Sequence, residues 1–372
     1  MSVLAARRVL TAQGILEPGW VRVEGQRVAA LGAGPPPDAT VTAHADWLVP
    51  GFTDIHMHGG GGYDVTTSAD ELRGAVAFHR AHGTTSTLIS LVTASIDDLC
   101  AQLSRIAELA RTDPGVLGAH LEGPVLSTVR CGAQDPRHMI PPDRAALARL
   151  LTAAGGHLRS TTIAPELPGA GELIDDLLEA GVVVAVGHTN ATYDQARRAF
   201  DRGATLATHL FNAMPPLHHR EPGPVGAALD AGVHCEIIND GVHNHPAVTR
   251  LVAGRRAERL VLVTDAISAA GAADGDYLLG GQSVRVEHGQ ARLRSTGSLA
   301  GSTLTMDQAV RRAIGPVQLE PVTAFRAASA NPATALGLGE SHGTIAVGRR
   351  ADLVALDNEL RPVQVLCGGP PA

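Results

Sequence analysis

The sequence contains no lysine: all 30 basic side chains among its 372 residues are arginine. That single absence removes several chemistries at once. A lysine Schiff base, a phosphate loop built on lysine and a lysine carbamate bridging two metal ions are all impossible. Cysteine is scarce too, with four residues (Cys100, Cys131, Cys235 and Cys367) and no C-x-x-C pair, so neither a disulfide framework nor a thiolate zinc site is indicated. A reducing cytosol is the expected compartment. No stretch approaches the ~20 apolar residues of a membrane helix, and Arg7 and Arg8 are not followed by the apolar region of an export signal. The formal charge of −7 argues against a general nucleic-acid-binding surface and leaves anion recognition to local arginines.

What is present describes a globular enzyme, with 44% hydrophobic and 18% charged residues and length enough for one large domain and a smaller one. Short apolar runs at 52–56, 84–92, 116–121, 160–164, 182–187, 204–208, 235–238 and 260–264 alternate with helical patterns. Ser68 with Glu71 reads as a capping box opening a helix that stops at Gly83, and Ser95 with Asp98 opens another. Eight strands alternating with helices predict an α/β fold, a closed (β/α)8 TIM-like barrel whose active site lies at the C-terminal ends of its strands. The barrel is expected over 51–275 and completed, with C-terminal helices, over 297–342. The alternating segments at 1–50, 276–296 and 343–372 are expected to assemble into one small β-sandwich domain, built from both termini and an insertion. Within it, 343–357 reads as the clearest strand pair.

The residue types at the strand ends can be tested against that rule. His56 and His58 flank Met57, and because strand side chains repeat every two residues both imidazoles point the same way. His120 and Glu122 share a face by the same alternation, so geometry alone leaves open which of them ligates. A carboxylate can bridge two divalent ions, which favours Glu122 and leaves His120 as a supporting or packing residue. His188 and His209 end consecutive units of the same pattern and complete a nitrogen and oxygen ligand set suited to zinc or another divalent metal, one or two ions per chain. Asp265 closes the apolar run of residues 260–264, where a carboxylate needs a partner. Beside a metal it is the expected sixth ligand and the catalytic acid-base group.

Asp54-Ile-His-Met-His-Gly, His-Leu-Glu-Gly-Pro, Gly-His-Thr-Asn, Thr-His-Leu-Phe-Asn-Ala-Met-Pro-Pro, Asn-Asp-Gly-Val-His243, Val-Thr-Asp-Ala and Gly297-Ser-Leu-Ala-Gly-Ser302 together resemble the N-acetylglucosamine-6-phosphate deacetylases of the amidohydrolase superfamily. The resemblance runs from Pro50 to Ala333 in order. It implies a homodimer acting on a sugar phosphate, with glucosamine 6-phosphate and acetate as products. It also implies substrate contacts at Asn212, Ala213, Arg220, His243 and the loop from Leu299 to Ser302, with the phosphate held partly across the dimer by Arg220 and His243.

Two departures qualify the match. Several family members have a weaker pair in place of His56 and His58 and hold one metal, whereas this chain keeps both. Gln134 stands where the family often has a histidine that polarises the amide carbonyl; glutamine donates a hydrogen bond but carries no charge. The aperiodic stretch 127–142 is expected to be an active-site loop, with Gln134 at the substrate and the Cys131 thiol near the entrance. The competing readings are another amidohydrolase, acting on a cyclic amide or another N-acetyl amino sugar, and a catalytically silent barrel serving as a scaffold. A silent relative is expected to have lost one of His188, His209 and Asp265, and all three are present.

Overall fold

The computed structural model describes residues 2–36 and 41–368, so residues 1, 37–40 and 369–372 of the expected small domain lie outside the described residues. Eight parallel strands follow one another in chain order: Phe52–Asp54, Thr84–Val92, Val116–Glu122, Leu158–Ile163, Val183–Val186, Leu206–Ala207, His234–Ile238 and Leu260–Val263. Nearly every residue in them is buried, as strands covered on both faces require. The ring closes between its first and last strands through a bridge from Met57 to Ala266. At that seam Asp265 donates its N–H to His56 O and His58 donates to Ala266 O, each at 2.8 Å. The Thr264 hydroxyl adds a 2.6 Å bond to the buried Asp54 carboxylate. Closure therefore brings the His56-Met57-His58 segment alongside Asp265.

The caps behave largely as the sequence predicts. Ser68 accepts from Glu71 N–H to start the helix Ala69–Ala81, but the Glu71 carboxylate turns to the Asp64 N–H instead of closing the box. Ser95 caps Ile96–Thr112 in the same way. Gly83, at φ +91°, provides the left-handed turn into the second barrel strand.

A separate seven-stranded sheet is built from both termini. Its long strand Ser2–Thr11 pairs parallel with Ala43–Pro50 and antiparallel with Gly19–Glu24, and Asp352–Leu356 joins the other side of Ala43–Pro50. Its core, including Leu4, Val21, Leu48, Ile345 and Leu353, is distinct from that of the barrel. Two expectations change here. The antiparallel hairpin partner of Asp352–Leu356 is Pro362–Cys367, while the preceding segment forms no named strand and meets the sheet through bridges from Ile345 to Thr11 and Arg350 to Arg27 and a few flanking backbone bonds. The insertion does not join this sheet: Gly275–Leu279, Gln282–Glu287 and Gln290–Leu293 form their own three-stranded antiparallel sheet. Alternation identifies a strand but not the surface its apolar face meets. Here Val284, Val286, Ala291 and Leu293 pack on Val92, Ile267 and Ala300, which places the insertion beside the C-terminal mouth of the barrel.

Candidate metal centre

The mouth opens into a pocket of about 280 Å³ lined by His58, Glu122, His188, His209 and Asp265 at its floor. Their nitrogen and oxygen atoms fall into two groups of three, His56 with His58 and Asp265, and Glu122 with His188 and His209. Within the first, the Nε2 atoms of His56 and His58 are 3.1 Å apart, and Asp265 Oδ1 is 3.5 and 3.2 Å from them. Within the second, His188 and His209 Nε2 are 3.1 Å apart, and Glu122 Oε1 is 3.0 and 2.9 Å away. Glu122 also reaches the first group, with Oε1 3.5 Å from His56 and Oε2 3.4 Å from His58. All six side chains are buried.

The outer ring nitrogens show what these inward atoms are for. His56 Nδ1 donates to the buried Glu236 carboxylate at 3.0 Å, His58 Nδ1 to Ser90 O at 3.1 Å, and His188 Nδ1 to Arg130 O at 3.0 Å. A ring whose Nδ1 is committed as a donor presents the Nε2 lone pair inward, the arrangement that fixes a histidine as a metal ligand. Neighbouring lone pairs crowded to this spacing need a cation between them. Tetrahedral zinc with nitrogen ligands at ~2.0–2.1 Å separates those nitrogens by roughly 3.4 Å, close to what both groups show. The donor set therefore fits a divalent metal.

The electrostatics show the same demand for positive charge between the carboxylates, met on His56 and His58 by a proton that a metal ion would displace. Burial pulls His56 down, but Glu122, Asp265 and Glu236 outweigh it and hold its pKa well above the usual imidazole value. His58, also opposed by burial, is raised to about 9 by hydrogen bonds to Asp265 and Glu122. Burial acts against the ionised form of Asp265, yet His56 and His58 lower its pKa to about 2. The site is built to keep its carboxylates ionised opposite positive charge. His188, His209 and Asp265 have φ of 45°, 26° and 48°. Three non-glycine residues of this cluster in the left-handed region mark backbone strain held at the strand ends.

His120 and Glu122 differ in their neighbours. His120 is bonded through both nitrogens, to the Ser90 and Thr162 hydroxyls at 3.0 and 2.9 Å, and is buried against His56. Burial and the His56 charge hold it neutral, well below the usual range. Glu122, by contrast, has its carboxylate within 3.5 Å of histidines from both groups.

Asn212, Ala213, His243 and Leu299 line the pocket, as does Gln134 on the 127–142 loop. His243 is held by Asp240 at 2.7 Å, while Asn212 Nδ2 is turned back to His209 O at 3.1 Å. Gln134 is committed on both sides: Nε2 donates to Glu122 Oε2 at 2.6 Å and Oε1 accepts from Thr93 N–H at 2.7 Å. Three expected residues lie elsewhere. Ser302 is buried, with its hydroxyl bonded to Thr264 O and its N–H to Asp265 O at 2.7 Å, so it braces the Asp265 turn instead of facing the pocket. Arg220 is exposed in an adjoining groove with Arg130 and His218. Cys131 is partly exposed beside Gly132 and does not itself line the pocket. Glu236 was missed. It is the lone carboxylate in the apolar strand His234–Ile238, the same signal that singles out Asp265, and it also accepts the His209 N–H at 3.1 Å.

The family model described as "Amidohydrolase family" matches residues 47–370. An N-acetylgalactosamine-6-phosphate deacetylase of Escherichia coli O157:H7 is 41% identical over 372 residues, covering 99% of this chain and 98% of its own. The crystal structure of N-acetyl-D-glucosamine-6-phosphate deacetylase from Mycobacterium smegmatis superposes with a TM-score of 0.96 at 46% identity, with both chains covered completely. An aspartate-to-alanine variant of the M. smegmatis enzyme in complex with N-acetyl-D-glucosamine 6-phosphate gives 0.95 at 46%, covering 100% of this chain and 98% of that one.

Proposed function

Since the chain belongs to the amidohydrolase family, we propose that it hydrolyses the acetamide of N-acetylglucosamine 6-phosphate to glucosamine 6-phosphate and acetate. The observation that carries this reading is the pair of three-ligand groups joined by Glu122 at the floor of a pocket with His243 on its wall. Its closeness to deacetylases of phosphorylated N-acetylhexosamines supplies the substrate class.

A divalent metal, for which the nitrogen and oxygen donors favour zinc, supplies Lewis acidity to the acetyl carbonyl and makes an attacking water more acidic. The fully loaded chain holds two ions. Asp265, ionised and facing the pocket, takes the proton from the attacking water and returns it to the departing amine. His243, Asn212, Ala213 and Leu299 hold the sugar phosphate. Arg220, outside the pocket of its own chain, contributes to phosphate binding in a homodimer by reaching the partner's pocket, where a guanidinium forms paired charge-assisted bonds. The four cysteines are free, which suits a reducing cytosol, where phosphorylated sugars also reside.

The relative from E. coli O157:H7 favours a second reading, the N-acetylgalactosamine 6-phosphate epimer. The two sugars differ at C4, away from the acetamide, so the metal groups cannot choose between them. Acetate release from both epimers and from unphosphorylated N-acetylglucosamine decides. The proposal requires the highest kcat/KM on the gluco phosphate; a higher value on the galacto epimer transfers the assignment to the second reading, and no acetate from any of them refutes both.

A further inference from the structure

At the opposite end of the barrel from the metal groups, a second cavity of about 450 Å³ separates the N-terminal ends of the strands from the terminal sheet domain. Its walls gather Arg27, Arg159, Arg349, Arg350, His157 and His342. Glu340 is the lining carboxylate, and it stands 3.8 Å from Arg349 with its side chain fully in solvent. Arg350 and Arg349 have Asp352 and Glu340 beside them, but Arg27 and Arg159 have no carboxylate within salt-bridge distance among the described residues, so their two charges line the cleft unopposed.

The arginines are seated, not loose. The Arg159 stem lies against Gly118, whose φ of +137° and missing Cβ leave room for it, and Arg159 Nε donates to Leu117 O at 3.1 Å. Arg27 Nη1 donates to Gly348 O at 2.7 Å and Arg350 Nε to Asp352 at 2.9 Å. Each bond fixes one edge of a guanidinium and leaves its other N–H groups for a ligand, the preorganisation that phosphate recognition exploits. Arg111 stands near enough to act with Arg159 on His157, and both imidazoles are held below their usual pKa, first by burial and then by the surrounding arginines. Ser341, whose hydroxyl is 2.8 Å from His342 Nδ1, adds a neutral hydrogen-bonding group to the lining.

We propose that this cleft is a second anion site, separate from the metal centre, that takes a small phosphorylated metabolite through its phosphate dianion. A cavity of this size admits a nucleotide or sugar phosphate. Occupancy ties the barrel to the terminal sheet, because Arg159 belongs to the first and Arg27 and Arg350 to the second.

The test is calorimetric titration of the metal-loaded protein with inorganic phosphate, adenosine 5′-monophosphate and glucose 6-phosphate, none of which carries an acetamide. The three arms distinguish free phosphate from a nucleotide and a sugar source. At least one probe is expected to bind with an affinity that falls as ionic strength rises, and Arg27→Gln/Arg159→Gln should weaken it by about tenfold or more while acetate release is unchanged. His243→Ala, which alters the pocket at the other end, should leave this binding intact. Should the double variant fold poorly, Arg159→Gln alone is expected to give a smaller loss in the same direction. No binding of any probe at millimolar concentration, equal binding by wild type and the arginine variants, or loss only in His243→Ala overturns the proposal.

Discussion

Replacing Gln134 with alanine separates two roles the residue could play. Its amide makes two bonds that no neighbour can replace, one donated to the ionised Glu122 and one accepted from the Thr93 N–H. A bond to a charged group is worth about 1.5–3 kcal/mol and a neutral one about 0.5–1.5 kcal/mol, so their loss weakens the anchoring of the 127–142 loop by about 2–4.5 kcal/mol. Glu122, released on one side, binds metal from a less ordered start, and outer partners of this kind typically alter metal affinity by about 10–100-fold. Chelator competition on metal-loaded protein, run beside thermal unfolding, reads both effects. Gln134→Ala is expected to lose metal at a lower chelator concentration and to melt earlier. Gln134→His, able to donate to Glu122 but not to serve Thr93 in the same way, should fall between. Unchanged metal affinity with a raised KM for substrate would refute the reasoning, because Gln134 would then act on the acetyl group and not on Glu122.

Four further outcomes are expected. Asp265→Asn, whose amide oxygen can still ligate, should keep the fold and, at saturating zinc, its metal content, but lower kcat by at least ~100-fold, measured by acetate release against elemental analysis of the same preparation. Glu236→Gln should weaken the ion held with His56 more than the ion held with His188, seen as a biphasic chelator titration, since Glu236 orients His56 directly. Arg220→Ala should raise KM for the phosphorylated sugar roughly tenfold or more with little change toward unphosphorylated N-acetylglucosamine, as loss of a charged hydrogen bond predicts. A bulky thiol reagent on Cys131 should slow the wild type while Cys131→Ser stays active and resistant; labelling without loss of activity would separate that thiol from the loop's function.

The barrel could be read from the sequence because its strands are continuous apolar runs separated by capped helices. The C-terminal-end rule then gave meaning to His56, His58, Glu122, His188, His209 and Asp265, which the fold gathers into two neighbouring groups. What stayed hidden depends on contacts between distant segments. Whether His120 faces a metal or two hydroxyls is decided by Ser90 and Thr162 on adjacent strands. Ser302 shares a motif with pocket residues, yet its register against Thr264 and Asp265 turns the hydroxyl inward. The insertion alternates like any half-buried strand set, and only its packing on Ile267 and Val92 shows that it belongs beside the barrel mouth. Glu236 was within reach, because an isolated carboxylate in a buried strand always needs a partner.

The proposal of two ions per chain, with Glu122 reaching both, is tested most directly by stripping the protein of metal, titrating it with zinc, and measuring bound zinc and acetate release from N-acetylglucosamine 6-phosphate on the same samples. Two equivalents per chain are predicted for the wild type, with one lost in His56→Ala and the other in His188→Ala. Saturation of the wild type at a single equivalent, with full activity already reached, would contradict the account.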